Sequence, residues 1–257
     1  MNVAATPATR AGCTPEEWKT RCDLAALYRL VAHFRMTDLI YTHISARLPG
    51  PDNHFLINQY GVMFHEMRAS DLVRIDMDGA IVGDTAGSSR VNAAGFTIHS
   101  AIHMARHDLM CVIHTHTAAG MAVAAQKHGL LPISQHALKF YGHLGYHGYE
   151  GIALDHDERD RLVRDLGPHS AMILQNHGLL AAGRTIPEAF NTIYYLERAC
   201  QAQVAALSGG AELVTPPEDV RQHTAAQFQG VGRLEHYEMM WESCLRLIET
   251  DRPDYRA

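Results

Sequence analysis

The chain lacks any apolar run approaching membrane-spanning length, which excludes an integral helical membrane protein. It also lacks an export signal: the start Met-Asn-Val-Ala-Ala-Thr-Pro has neither a basic region nor an apolar core, so a cytoplasmic location is expected. Positive charge is in deficit, with 22 Lys and Arg against 28 Asp and Glu and a net charge of -6, which argues against nucleic acid as a partner. Cysteine pairing motifs are missing as well. The five cysteines (Cys13, Cys22, Cys111, Cys200, Cys244) are odd in number, scattered and without a Cys-x-x-Cys, as expected of reduced thiols that fill a core. There is no internal repeat and no linker long enough to separate domains. Histidine, by contrast, is abundant, with 18 residues.

At 257 residues, 47% hydrophobic and 19% charged, the chain is long enough to bury a full core. Residues 1–13 read as a flexible arm and 14–257 as one folded unit. Thr14-Pro15-Glu16-Glu17 is a capping box with Pro at the first helical position, predicting a helix to about Phe34 with Trp18, Cys22, Leu24, Leu27, Leu30 and Val31 inward. Short strands follow at 44–48 and 54–58, and 73–77 and 80–82 flank Asp78-Gly79 as a hairpin. Loop residues 87–89 precede a helix over 94–105 and a strand ending in His114-Thr115-His116. Residues 117–127 read as a helix, 142–151 as strand or loop, 157–166 as a helix and 171–174 as a strand. Further helices are expected over 188–207, 217–227 and 231–250. Hairpins first and strand–helix alternation later predict a single α/β domain with one mixed sheet flanked by helices.

The chemistry concentrates in three histidines. His114 and His116 close the apolar run Met110-Cys111-Val112-Ile113, and His177 closes Ala171-Met172-Ile173-Leu174. Side chains two apart on a strand share a face, so His114 and His116 can point at one atom. A third imidazole from another strand end would give three protein ligands and an open position, the pattern of catalytic zinc. Asn176 and Gly178 flank His177 and permit a sharp turn there. His99, His103 and His107 recur every four residues, for which a partly exposed helix face is favoured over metal ligation. The glycine-rich stretch 142–151 holds His143, His147 and Glu150, with aromatic packing the favoured reading. Ser134-Gln135-His136 follows Pro132 in a predicted loop.

These residues resemble the class II aldolase/adducin family. The likeness is carried by Val112-Ile113-His114-Thr115-His116-Thr117-Ala118-Ala119-Gly120, Gly129-Leu130-Leu131-Pro132-Ile133-Ser134 and Leu174-Gln175-Asn176-His177-Gly178-Leu179, and runs from about Trp18 to Gly210. The resemblance implies a three-layer α/β/α fold around a largely antiparallel sheet, assembled as a homotetramer. It also implies one divalent ion per subunit on His114, His116 and His177, zinc foremost, with manganese, iron and cobalt also suited to imidazole.

The likeness departs from the sugar-phosphate aldolases of that family in one direction. Gly95 stands where they place the proton-transfer glutamate, and Ala93 and Ala94 where they place phosphate-binding serines. A second phosphate loop corresponds to Asn58-Gln59-Tyr60-Gly61, and an Asn-x-Ser element to His43-Ile44-Ser45. Glycine moves no proton and alanine donates no hydrogen bond to a phosphate. The expectation is therefore a metal-dependent lyase of aldolase or decarboxylase type, working through an enolate-like intermediate on a small oxygenated or carboxylated substrate. Gln59, Tyr60, Gly61, Ala94 and Gly95 would line the substrate, and loops 59–63 and 134–141 would select it. His136 is the first candidate for proton transfer, because the aldolases carry a tyrosine near that position; Tyr149 and Glu150 are the others. The alternative is a non-catalytic adducin-like binding protein. The segment His43-Ile44-Ser45-Ala46-Arg47 and residues 94–103 resemble the adducin head. Without the adducins' basic tail, binding to actin or spectrin is not expected.

Overall fold

The structure, a computed structural model, describes residues 12–83, 89–151, 158–230, 233–250 and 253–257, with the backbone alone at 93–96 and 233. The expected arm therefore lies outside the described residues except for Gly12 and Cys13, as do residues 87 and 88 of the expected loop. The first helix, α1 (Pro15–His33), starts where the capping box placed it. The Thr14 side chain accepts the Glu17 N–H at 3.2 Å, and the acidic Glu16 and Glu17 occupy the positive end of the helix. All six residues expected to turn inward are buried.

Among the described residues seven strands form one sheet: β1 (His43–Arg47), β2 (Phe55–Ile57), β3 (Val73–Ile75), β4 (Cys111–Thr115), β5 (Gly145–His147), β6 (Ala171–Leu174) and β7 (Gly178–Gly183). Their order is β3-β2-β1-β4-β7-β6-β5, antiparallel at every neighbour except the parallel pair β5 and β6. The expected Asp78-Gly79 turn is present. Val82 N–H donates to the Arg74 carbonyl at 2.8 Å, Asp76 N–H to that of Ala80 at 3.0 Å, and Gly79 takes a φ of 84°. Strand β7 was not anticipated. Its sequence Gly-Leu-Leu-Ala-Ala-Gly carries neither β-branched residues nor polar alternation, because both of its faces are buried.

Helices cover the two sheet faces. Ile44, Ala46, Cys111, Ile113, Leu179 and Ala181 point to α1, to α3 (Ala118–Ala124) and to α6 (Ile186–Ser208), forming the larger core. Val112, Met172, Leu174, Leu180 and Ala182 point to the other face, under α2 (Ala93–Ala105) and α5 (Glu158–Leu166). The result is the expected α/β/α layering. The other α-helices among the described residues are α4 (Gln135–Leu138), α7 (Glu218–Gln229) and α8 (Arg233–Glu249), the last beginning after residues 231 and 232 of the expected helix, which are outside the described residues. All five cysteines are free thiols; burial pushes Cys111 and Cys200 up and Cys22 up to about 11, so these three are core groups rather than nucleophiles. Among the described residues no helix is long and apolar enough to cross a membrane.

One correction concerns α2. The expected partly exposed histidine face is turned inward: His99 and His103 are 2% and 1% exposed, and only His107 reaches solvent. Ser45 of β1 explains this, its hydroxyl lying 2.6 Å from His99 Nδ1 and 2.7 Å from His103 Nε2. One hydroxyl can donate to one imidazole and accept from the other, so both rings stay neutral without a metal. Burial, followed by the Arg47 cation, lowers the His103 pKa to about 3; burial, followed by neighbouring imidazoles, holds His99 well below the usual range. Such groups contribute stability that is complete above the unfolded value near about 6.5 and is lost as pH falls towards the folded one. Between pH 6.5 and 5 the metal-free protein is expected to lose about 2 kcal/mol for each. Urea unfolding at pH 7, 6 and 5 reads this directly, and His103→Gln should flatten the slope by about one proton.

Candidate metal centre

The strand register sets the site at one edge of the sheet. His43 at the start of β1 pairs with His114 near the end of β4, and Thr115 pairs with Leu179 at the start of β7. The ends of β5 and β6, the parallel pair, reach the same edge at His147 and Leu174. His116 is the single residue between β4 and the cap of α3, where Thr117 accepts the Gly120 N–H at 3.2 Å and donates to the buried Glu197. That double anchor fixes the backbone that carries His116. His177 sits in the tight turn between β6 and β7. Asn176 takes a φ of 56°, its N–H donates to the Ala124 carbonyl at 3.0 Å, and Gln175 N–H donates to that of His147 at 2.8 Å.

These elements bring the three histidines together. His114 Nε2 lies 2.8 Å from His116 Nε2 and 3.3 Å from His177 Nε2, and the ligand atoms all fall within 4.8 Å of one another. The opposite ring nitrogens decide the protonation. His114 Nδ1 is 2.9 Å from the Leu179 carbonyl, which can only accept, and His116 Nδ1 is 3.0 Å from an Asp38 carboxylate oxygen. Both Nδ1 atoms therefore carry a proton, and the Nε2 of His114, a neutral ring, presents its lone pair to the triad. Burial first, then the neighbouring histidines, lowers His114 well below its usual pKa and His177 to about 4, so neither gains a proton near neutrality.

Three imidazole nitrogens meeting at one point form a donor set suited to a divalent cation. Nitrogens about 2.1 Å from a tetrahedral zinc stand about 3.4 Å apart, close to the His114–His177 spacing. The donor set fits a divalent ion with at least one further position open. Among the described residues this is the cluster of three His, Cys, Asp or Glu side chains placed to hold a metal.

The other expected site residues are distributed around this centre. Asn58 follows β2 on the same edge, pinned by Tyr28, whose hydroxyl donates to the Ile44 carbonyl at 2.5 Å and accepts the Asn58 N–H at 3.1 Å. In the loop that follows, Tyr60 N–H donates to the Arg90 carbonyl at 2.9 Å and Gln59 Oε1 accepts the Arg90 N–H at 3.2 Å, while Gly61 is exposed. The loop is thereby tied to the approach to α2, whose first turn carries Ala94 and Gly95. The side chains of 93–96 lie outside the described residues. Tyr149 is exposed, its ring 6.4 Å from that of His177. Glu150 is held by Arg161 through contacts of 2.5–2.9 Å, which lowers its pKa.

Two expectations are corrected here. Ser134-Gln135-His136 is not a loop: Ser134 caps α4, accepting the Ala137 N–H at 3.1 Å, and His136 lies on that helix. The His136 ring is 4.9 Å from Tyr195 and lines a cleft of about 310 Å³ with Lys139, Asn191 and His236, which contains none of the three triad histidines. Nor does His147 sit in aromatic packing. Its Nδ1 is 2.8 Å from Asp165 and its Nε2 3.4 Å from Glu158. Sequence reading also missed Asp38, the carboxylate behind His116.

An α/β/α protein with a three-imidazole centre at one sheet edge is the class that fold and site define. Residues 22–204 match the model of the Class II Aldolase and Adducin N-terminal domain, and the chain belongs to the class II aldolase/adducin family. The chain is similar to the crystal structure of an aldolase II superfamily protein from Pseudomonas syringae, with 54% identity, TM-score 0.90, and 95% of this chain and 98% of that one covered. It is also similar to an L-fuculose 1-phosphate aldolase from Glaciozyma antarctica, with 28% identity, TM-score 0.83, and 98% and 97% covered. Rat alpha-adducin is 47% identical over 189 residues, which are 73% of this chain and 26% of that protein.

Proposed function

We propose that this protein is a divalent-metal-dependent carbon–carbon lyase acting on a small oxygenated or carboxylated compound rather than a sugar phosphate. The observation that carries the reading is the convergence of three histidine Nε2 atoms at the sheet edge. A divalent ion held there, zinc foremost, supplies Lewis-acid polarisation of a substrate oxygen. The chain's own residues bind and orient. His114 and His116 are locked by their Nδ1 partners, and the loop at Gln59, Tyr60 and Gly61, tied to Arg90, forms a wall towards the start of α2. Of the three candidates for proton transfer, Tyr149 stands against a triad ring, Glu150 is drawn to Arg161 and His136 opens on another cleft. Tyr149 is therefore the first to test.

The case against sugar phosphates rests on Ala93, Ala94 and Gly95, which offer neither hydroxyl donors nor a carboxylate. A homotetramer in the cytoplasm, where free thiols persist, completes the reading. Elemental analysis of the purified protein should find one divalent ion per subunit, and native mass spectrometry four subunits. A panel of hydroxy- and keto-acids, with L-fuculose 1-phosphate included, tests the substrate class. Efficient cleavage of L-fuculose 1-phosphate would overturn the exclusion of sugar phosphates. The identity to alpha-adducin favours a second reading, a non-catalytic binding protein. A metal-loaded protein inert across the panel would support it, and co-sedimentation with actin, expected to be negative, tests it directly.

A further inference from the structure

The segment between α1 and β1 is strained in a way that helix termination explains only in part. Arg35, with a φ of 57°, ends α1, where Met36 N–H donates back to the Val31 carbonyl at 2.9 Å as helix ends commonly require. Leu39 (φ 49°) and Thr42 (φ 66°) have no such reason. A branched and a β-branched residue in the left-handed region are strained and persist only where surrounding structure imposes them. Thr42 adds a second sign of strain: it is 3% exposed and its hydroxyl has no hydrogen-bond partner. Leu39, by contrast, is 64% exposed, so packing of its side chain does not repay the strain.

What the segment delivers is Asp38. Tyr41 N–H donates to the Asp38 carbonyl at 2.8 Å, closing a turn whose second residue is the strained Leu39. From that turn the Asp38 side chain reaches His116, 78 positions away in sequence, at 3.0 Å from Nδ1. His116 lies beyond the last residue of β4, so no strand partner fixes its ring as the Leu179 carbonyl fixes that of His114. A ring free to flip or change tautomer presents its lone pair to the triad only part of the time.

We infer that Asp38, held by the strained turn, is the positioning residue that fixes the tautomer and orientation of His116 and thereby sets the metal affinity of the centre. The inference rests on the metal reading of the triad. Zinc affinity is measured by chelator competition on the wild type, Asp38→Ala, Asp38→Asn and His116→Ala. The His116 tautomer is read by nitrogen-15 NMR of the metal-free proteins. Asp38→Ala should weaken zinc binding about 10- to 100-fold, as loss of an outer partner does, and spread His116 over both tautomers. Asparagine, which still offers an accepting oxygen, should recover part of both. An unchanged tautomer together with zinc affinity within about twofold of wild type in Asp38→Ala, while His116→Ala loses zinc, would overturn the inference alone. A wild type that takes up no zinc would overturn the metal reading and this inference with it.

Discussion

His114→Ala and His177→Ala are each expected to lose the bound ion while keeping the fold. A structural zinc site releases about 10–16 kcal/mol in all, so one ligand of three or four carries about 3–4 kcal/mol, or about 100- to 1000-fold in affinity. The two variants should differ in stability. His114 is 1% exposed and donates to the Leu179 carbonyl, so alanine leaves a cavity and a buried acceptor without its donor, costing about 2–3 kcal/mol. His177 is half-buried in a turn whose anchors are backbone hydrogen bonds through Asn176 and Gln175, so its loss should leave the fold nearly unchanged. Elemental analysis, chelator competition and far-ultraviolet circular dichroism measure all three quantities. Full zinc occupancy at wild-type affinity in His177→Ala would remove that residue from the ligand set.

The legible parts of this protein were those whose signal is local. Thr14 accepts an orphan N–H of the helix start from Glu17, three residues on, with Pro15 at the first helical position, and Asp78-Gly79 supplies a positive φ at its own position. His114 and His116 were legible as a pair because the two-residue period of a strand is enough to put them on one face. The parts that were missed depend on contacts distant in sequence. Ser45 buries His99 and His103 from 54 and 58 positions away, which a helical spacing of four cannot reveal. His147 is held by carboxylates on α5 rather than by the tyrosines beside it. β7 escaped because a strand buried on both faces loses its alternation. Asp38 sits among Thr37, Leu39 and Ile40 with no motif around it, and only the turn of the chain makes it a partner of His116.

The same distinction separates the metal site from the reaction. Ligands can be read where a backbone element fixes them, but proton transfer requires a side chain to stand at the substrate, and loops decide that. Tyr149 comes within 6.4 Å of the His177 ring because the parallel pairing of β5 with β6 carries the end of β5 to the edge where His177 turns.

Gly178→Ala is expected to be the most damaging single-methyl change at this centre. Gly178 pairs with Leu174 in the β6–β7 hairpin, and its α-carbon faces Thr115 of β4. A β-carbon added there would lie 2.4 Å from the Thr115 carbonyl oxygen, 3.2 Å from His116 and 3.4 Å from His114. The first contact is with backbone, and Thr115 is itself paired with Leu179, so neither strand can retreat without breaking the β4–β7 ladder. The clash is therefore relieved by separating the two strand ends that carry the ligands. A loss of about 3 kcal/mol or more is expected, which for a chain of this size lowers the melting temperature by about 6–12 °C. Because the displaced backbone carries His114 on one side and His177 on the other, zinc affinity should fall with it. Thermal unfolding with and without zinc separates the two effects: a variant that melts like the wild type and binds zinc as tightly would show that the close approach of β7 to Thr115 does not hold the centre together.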